Sequence, residues 1–162
     1  MKKTLIIGYG NPDRQDDGVA WHILATLTGR LGRTIPASYM DGIYPTGDNP
    51  DMLFSLQLLP EMADMFADYQ RVCFVDAHTG SIPEELQFKQ INAYFQNSPL
   101  THHLTPESCL ALADTLHGTH PESILVSVRG FEFDFESNLS KRTSELSEEA
   151  VTRIWGWLHN TN

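Results

Sequence analysis

The sequence predicts a single α/β domain, a three-layer sandwich in which helices cover both faces of a mostly parallel, twisted sheet. Two observations predict this fold class. Short apolar runs at residues 4–8, 71–77 and 124–128 have the length and continuity of buried parallel strands. Segments with apolar residues at helical spacing alternate with these runs. Because 162 residues is the size of one ordinary domain, we assign residues 1–162 to one unit with one core.

The first half of the chain is predicted to contain two strands and two helical segments. Residues 4–8 form the first strand, and apolar side chains at helical spacing over residues 20–31 predict the helix that follows it. We expect a second buried strand near residues 35–40. Residues 41–51 are rich in Gly, Pro and Asp and are predicted to be a loop, and Pro60 opens the next helical stretch.

The second half begins with the central strand at residues 71–77. Residues 86–91 alternate less cleanly between apolar and polar side chains and predict a half-exposed edge strand. Thr105 and Pro106 mark a helix start, because Thr is a favoured N-cap and Pro is favoured at the first helical position. After the last strand, a final helix is predicted over residues 147–158.

Composition excludes several classes of protein. A formal net charge of -10 and a pI near 5.0 disfavour proteins that bind nucleic acid or an anionic membrane surface.

Cys73 and Cys109 lie in apolar runs, which favours two buried thiols over a disulfide framework. The apolar run at the start of the chain ends at Gly8, which is typical of a first strand and not of a signal peptide, so we expect a cytoplasmic protein.

The turn after the first strand is glycine-rich but does not fit a nucleotide. Gly8 and Gly10 leave the strand as in a dinucleotide-binding turn, yet the third glycine of that motif would fall at Asp13. Asp16 and Asp17 follow where a phosphate would otherwise dock on the next helix, and two carboxylates would repel it. The turn therefore predicts a site that handles a metal or a proton, and we assign no cofactor-binding residues.

Three groups of candidate site residues are predicted to meet at one edge of the sheet. Asp16 and Asp17 follow the first strand, Asp76 ends the central strand, and His102 and His103 precede the Thr105 helix. Parallel strands present their carboxyl ends at the same edge, where α/β sheets bind ligands. Two carboxylates and an imidazole make an open site for a divalent first-row metal. A histidine near a helix N-terminus is held neutral, which is the form that binds metal.

Each candidate also has an interpretation without a site. Asp16 can be the N-cap of the first helix, and Asp17 can favour the dipole of that helix from its first turn. Asp76 can close its strand by accepting hydrogen bonds from a loop. One of the two histidines can be a solvated neighbour of the other.

Four motifs occur in order along nearly the whole chain. They are IIGYGNP at residues 6–12, DDG at residues 16–18, FVDA at residues 74–77 and THHLTP at residues 101–106. As a set, they resemble the hydrogenase maturation protease family. The sequences QLLPE at residues 57–61, VSVRG at residues 126–130 and Leu139-Ser140 are similar to the branch that serves soluble, cofactor-linked hydrogenases.

The resemblance implies an endopeptidase that removes the C-terminal extension of a nickel-iron hydrogenase large-subunit precursor after nickel insertion. It implies Asp17, Asp76 and His102 as the residues that contact the metal, with Asp17 and Asp76 as the catalytic carboxylates. Asp16 and His103 are the alternates if the register differs by one. Nickel would arrive with the precursor, and another divalent metal could bind the isolated protein. The implied partner is that precursor, with no nucleic acid and no membrane.

Two mechanisms are compatible with these residues. In the first, the nickel of the substrate is grasped only for recognition and positions the scissile peptide bond. In the second, one carboxylate activates water, helped by the metal as a Lewis acid or by a protonated second carboxylate. A covalent nucleophile is disfavoured, because Gly-x-Ser-x-Gly is absent and Ser108 and Cys109 lie inside a predicted helix.

Three other classes share part of the pattern. A signalling receiver domain has an acidic pair after strand one, but here residues 8–15 separate the strand from the acids, and no lysine follows the last strand at Val128. A metal-dependent hydrolase of small amides or esters would use the same three side chains. A non-catalytic nickel-recognising chaperone would bind the precursor without cutting it.

Overall fold

The computed structural model describes residues 2–96 and 103–160. It contains one five-stranded sheet with the strands β1 (Thr4–Tyr9), β2 (Asp51–Ser55), β3 (Arg71–His78), β4 (Leu86–Ile91) and β5 (Glu122–Arg129). Their spatial order is β2-β1-β3-β5-β4. β2, β1, β3 and β5 run parallel, and β4 lies antiparallel to β5 at one edge. The predicted mostly parallel sheet, its central strand and its edge strand are therefore confirmed.

Helices cover both faces of this sheet. They are α1 (Val19–Arg30), α2 (Met62–Met65), α3 (Pro106–His117) and α4 (Lys141–Leu158), with 3-10 turns at Pro12–Gly18, Tyr39–Asp41 and Phe66–Asp68. Ile6 of β1 faces α1 and α4, whereas its neighbours Leu5 and Ile7 face α2 and α3. Cys73 and Cys109 are buried free thiols, one in each of the two core layers, as predicted. The structure confirms the three-layer α/β prediction.

The second predicted strand was placed too early in the chain. Residues 35–40 form no strand, and the side chains of Ile35 and Met40 are 49% and 78% exposed. Pro36 has no N–H to donate to a strand ladder, which disfavours a buried strand here. The strand of the sheet is β2, which follows the loop and buries Met52.

The final helix begins earlier than predicted. α4 starts at Lys141, where Ser140 is the N-cap and accepts a hydrogen bond from the backbone N–H of Thr143. Its first turn is polar, so the apolar periodicity becomes visible only farther along the helix. The predicted start of α3 is confirmed, because the Thr105 hydroxyl accepts from the N–H of Ser108 and Pro106 is the first helical residue. Among the helices of the described residues, none is long and apolar enough to cross a membrane.

Candidate active site at the carboxyl edge of the sheet

The carboxyl ends of β1 and β3 open into one small cleft. Asp17, Asp76 and His103 all line it, and its volume is about 280 Å³. Asp17 lies in the 3-10 turn after β1, and Asp76 is near the end of β3. The topology therefore brings together the two carboxylates predicted from the sequence. We call this space the Asp17–Asp76 cleft.

Asp76 is held at both of its oxygens by neighbouring strands. The Ser127 hydroxyl of β5 donates to Oδ1 over 2.8 Å, and the Tyr9 hydroxyl of β1 donates to Oδ2 over 2.9 Å. Ser127 is the register partner of Asp76 across the β3–β5 pair. Tyr9 is the last residue of β1, the strand on the other side of β3. These two contacts fix the carboxyl group in one orientation within the cleft.

Burial raises the pKa of Asp76 to about 6. The negative charges of Glu107 and Asp17 also raise it, whereas the hydrogen bonds from Ser127 and Tyr9 lower it. Tyr9 has a pKa well above its usual value, because it is buried next to Asp76, so it stays protonated as a donor. A carboxyl group that titrates near neutral pH can accept and return a proton during a reaction. The sequence prediction did not include the supporting hydroxyls of Tyr9 and Ser127.

Replacing Tyr9 with phenylalanine is expected to raise the pKa of Asp76 above about 6, because one hydrogen bond to the charged form is lost. An NMR titration of the Asp76 carboxyl carbon measures this shift. The matched control is Tyr69→Phe, which removes a tyrosine hydroxyl bound to Asp51, away from the cleft. An unchanged Asp76 pKa in Tyr9→Phe would contradict the prediction.

Asp17 is oriented by the glycine turn. Its Oδ2 accepts a hydrogen bond from the backbone N–H of Asn11 over 2.9 Å. Gly10 has a φ of +141°, and a Cβ there would lie 2.1 Å from the backbone oxygen of Asp17. Gly10 also donates its N–H to Ser55 of β2. The turn therefore needs glycine at this position to bring Asp17 close to the strand end.

Asp16 has a different role from its neighbour. Its side chain is fully buried and does not line the cleft. Five donors surround it within 2.6–3.0 Å: the backbone N–H groups of Phe131, Glu132 and Ser140 and the hydroxyls of Ser140 and Thr143. Burial alone would raise the pKa of Asp16, but these hydrogen bonds lower it overall. Asp16 is thus a structural anchor between the turn and the start of α4, and the N-cap interpretation is wrong because Gly18 is the N-cap of α1.

The sequence matches no family model and no curated protein. Solved structures do match over almost its whole length. NiFe hydrogenase maturation protease HybD from Thermococcus kodakarensis aligns with a TM-score of 0.65 and 15% identity, covering 96% of this chain and 99% of that one. The NiFe hydrogenase maturation protease HycI from Thermococcus kodakarensis KOD1 gives a TM-score of 0.63 and 19% identity, covering 98% of this chain and 94% of that one. The hydrogenase maturating endopeptidase HybD from E. coli gives 0.64 and 17%, covering 96% and 91%. This chain has the hydrogenase maturation protease fold.

In this fold, residues 103–105 reach the cleft just before α3. Gln96 holds that segment on both sides of Leu104: its Nε2 donates to the carbonyl oxygen of His103, and its Oε1 accepts from the N–H of Thr105. His103 lines the cleft, whereas His102 lies outside the described residues. Among residues 2–96 and 103–160, no three His, Cys, Asp or Glu side chains are placed to hold a metal ion.

One further residue of the turn was not understood from the sequence. Gln15 is 5% exposed and has a φ of +48°, which is uncommon for a residue with a side chain. Its Oε1 accepts from the N–H of Asp134, and its own N–H donates to the carbonyl oxygen of Glu136. Gln15 therefore ties the turn to the loop that precedes α4, which is the same connection that Asp16 makes.

Proposed function

We propose that this protein is a cytoplasmic endopeptidase that removes the C-terminal extension of a nickel-iron hydrogenase large-subunit precursor. The observation that carries the proposal is the Asp17–Asp76 cleft, in which a carboxyl group with a pKa near 6 lies beside a second carboxylate. The fold shared with the maturation proteases and endopeptidases supports it. The four ordered sequence motifs support the same assignment.

Asp76 is the proposed general base. At neutral pH its carboxylate takes a proton from water while the water oxygen attacks the carbonyl carbon of the scissile peptide bond. The peptide C–N bond then breaks, and the proton held on Asp76 passes to the leaving nitrogen. Tyr9 and Ser127 keep the carboxyl group in place during both transfers, since each donates to a different oxygen. No covalent bond to the protein is required.

Nickel enters this reaction as part of the substrate. Asp17, Asp76 and a histidine, His102 with His103 as the alternate, are proposed to contact the nickel already inserted in the precursor. Carboxylate oxygens and an imidazole nitrogen are suitable ligands for such an ion. Binding would then depend on nickel insertion, and contact with the metal would place the adjoining peptide bond near Asp76.

The test is intact-mass spectrometry of the co-encoded large-subunit precursor after incubation with this protein. We expect loss of a C-terminal peptide from the nickel-loaded precursor and no loss from the nickel-free precursor. Asp17→Asn should lower the rate by roughly a hundredfold or more, because it removes a charge that faces the metal. Asp68→Asn is the matched control, since it removes an exposed carboxylate outside the cleft and should leave the rate unchanged.

Other outcomes would assign the cleft to another class. Stable binding of the nickel-loaded precursor with no change in its mass would favour the nickel-recognising chaperone. No action on the precursor, together with turnover of small amides or esters, would favour the small-molecule hydrolase. Cleavage that proceeds equally with and without nickel would retain the peptidase and reject nickel recognition.

A further inference from the structure

An apolar groove of about 750 Å³ lies beside the Asp17–Asp76 cleft. Three segments contribute to it: the turn at Tyr39–Asp41 with the residues after it, the edge strand β2, and α2 with the residues before it. The lining includes Met40, Tyr44, Leu53, Phe54, Leu59 and Met65. We call it the Met40 groove.

The groove exposes large apolar side chains to solvent. Met40 is 78% exposed, Tyr44 66%, Leu56 57% and Leu59 39%. A contiguous set of exposed apolar side chains on a water-soluble surface marks an interaction site. Methionine side chains adapt to differently shaped apolar partners, which suits a groove that receives a peptide. The groove therefore has the chemistry of a binding surface.

The groove and the cleft adjoin each other. Leu56 lines both of them. The Tyr39 hydroxyl of the groove donates a hydrogen bond to Asp13, which lies in the same 3-10 turn as Asp17. A chain held in the groove would thus leave it at Leu56, next to the cleft that contains the two carboxylates.

Aromatic contacts set the shape of the groove before anything binds. Trp21 of α1 lies edge-on to Phe54 at 5.3 Å and to Tyr39 at 6.5 Å between ring centroids. The Tyr44 ring packs against Gly42, where a Cβ would approach the ring to 2.6 Å. Because the groove is already ordered, binding there costs less free energy than binding to a flexible surface that must first be ordered.

We propose that the Met40 groove binds the C-terminal extension of the precursor as an extended apolar segment. This inference rests on the proposed function. If the nickel-bearing side of the scissile bond lies over Asp17 and Asp76, the groove that starts at Leu56 takes the chain on the other side of the bond. Glu61 is the one charged residue among the described residues that line the groove, and the net charge is -10, so an acidic segment is disfavoured.

Kinetics of cleavage test the groove with two variants and a matched control. Met40→Ser and Leu59→Ser should each raise KM roughly tenfold with little change in kcat. Each removes an apolar contact that is made equally in the substrate complex and in the transition state. Leu116→Ser removes a leucine that is 57% exposed on α3, outside the groove, and should leave KM unchanged. Thermal melts verify that the variants fold. Unchanged KM in both groove variants would overturn the inference.

The sign of an introduced charge distinguishes an apolar occupant from a charged one. Met40→Lys and Met40→Glu should raise KM by similar factors, since either charge would lose hydration when an apolar segment covers it. A large difference between the two variants would show that charge governs binding and would overturn the apolar assignment.

A photo-crosslink separates this inference from the proposed function. Benzophenylalanine at position 40 of the otherwise wild-type protein, irradiated directly after mixing, should crosslink the nickel-loaded precursor within its C-terminal extension, as mapped by peptide mass. Crosslinks confined to other parts of the precursor, or none, would reject the groove assignment even if the wild-type protein cleaves the precursor. A crosslink in the extension without cleavage by the wild type would support the groove and reject the peptidase.

Discussion

Asp16→Ala is expected to lower the free energy of unfolding by about 4 kcal/mol, one of the largest effects of any single substitution in this chain. Five donors around Asp16 would lose their acceptor in a site that is fully closed to solvent. For a domain of this size the melting temperature should fall by roughly 10 °C. Chemical denaturation at pH 7 measures the free energy directly.

Two controls isolate the buried carboxylate. Asp17→Ala removes the adjacent carboxylate and should cost far less stability, because among the described residues the Asp17 side chain accepts one hydrogen bond, from the N–H of Asn11. Asp16→Asn keeps the shape but loses the charge and should fall between the two. If Asp16→Ala and Asp17→Ala melt at the same temperature, Asp16 is not the anchor that the structure indicates.

Acid unfolding gives a second readout of the same contacts. The pKa of Asp16 in the folded protein lies below its usual value of 3.8. The unfolded chain therefore binds this proton more tightly, so the stabilisation is complete above about pH 4 and is lost as the pH falls through the folded pKa. Asp16→Asn should flatten this part of the stability profile below pH 4.

The different roles of Asp16 and Asp17 show where sequence reasoning stops. Both are acids in the same turn, and only the family resemblance separated them, because it implied Asp17 at the site and left Asp16 as the alternate. The partners of Asp16 begin at Phe131 and end at Thr143, more than a hundred residues away in the chain. No local sequence pattern indicates these contacts, because they depend on where the loop before α4 returns to the sheet.

The placement of Asp17 and Asp76 was predictable because it follows from topology. Parallel strands end at one edge, so acids at the ends of β1 and β3 had to be near each other once the strands were identified. The role of Ser127 required the β3–β5 register, which pairs it with Asp76. That register becomes available only when the sheet order is known, and the order could not be read from the apolar runs alone.

The misplaced second strand had consequences for function. Residues 35–40 were predicted to be buried, and the structure instead exposes Met40 beside the edge strand β2. Apolar residues in a sequence are ordinarily assigned to the core. The sequence of a segment that lines an apolar groove can therefore be mistaken for that of a buried strand. The error and the Met40 groove therefore have the same physical origin.

Asp76→Asn is expected to slow cleavage strongly and to stabilise the protein at the same time. Loss of the general base should lower kcat roughly a thousandfold. Stability should change in the opposite direction, because the folded protein raises the pKa of Asp76 from 3.8 to about 6. Ionising this carboxyl group in the folded state costs about 3 kcal/mol at pH 8. Part of the gain is lost with the weaker hydrogen bonds to asparagine, so a rise of about 5 °C in melting temperature is expected.

The pH dependence of the stability difference tests whether ionisation of Asp76 is its cause. The folded protein holds the Asp76 proton more tightly than the unfolded chain, so the cost of ionisation is absent below about pH 4 and complete above about pH 6. The stability difference between Asp76→Asn and wild type should therefore grow across that interval and level off above it. Thermal melts from pH 4 to pH 8 measure this difference.

Asp51→Asn is the matched control for Asp76→Asn. Asp51 is also buried, but it accepts hydrogen bonds from the N–H groups of Thr46 and Gly47 and the hydroxyl of Tyr69. It lies outside the cleft, so its substitution should lower stability and leave kcat unchanged. A destabilised Asp76→Asn variant would show that Asp76 supports the fold, and cleavage of the precursor at the wild-type rate would show that Asp76 does not carry the chemistry. The two substitutions are expected to change stability in opposite directions because the two buried aspartates have different surroundings. Asp51 accepts hydrogen bonds from three donors, whereas the pKa of Asp76 is raised by burial and by neighbouring negative charge.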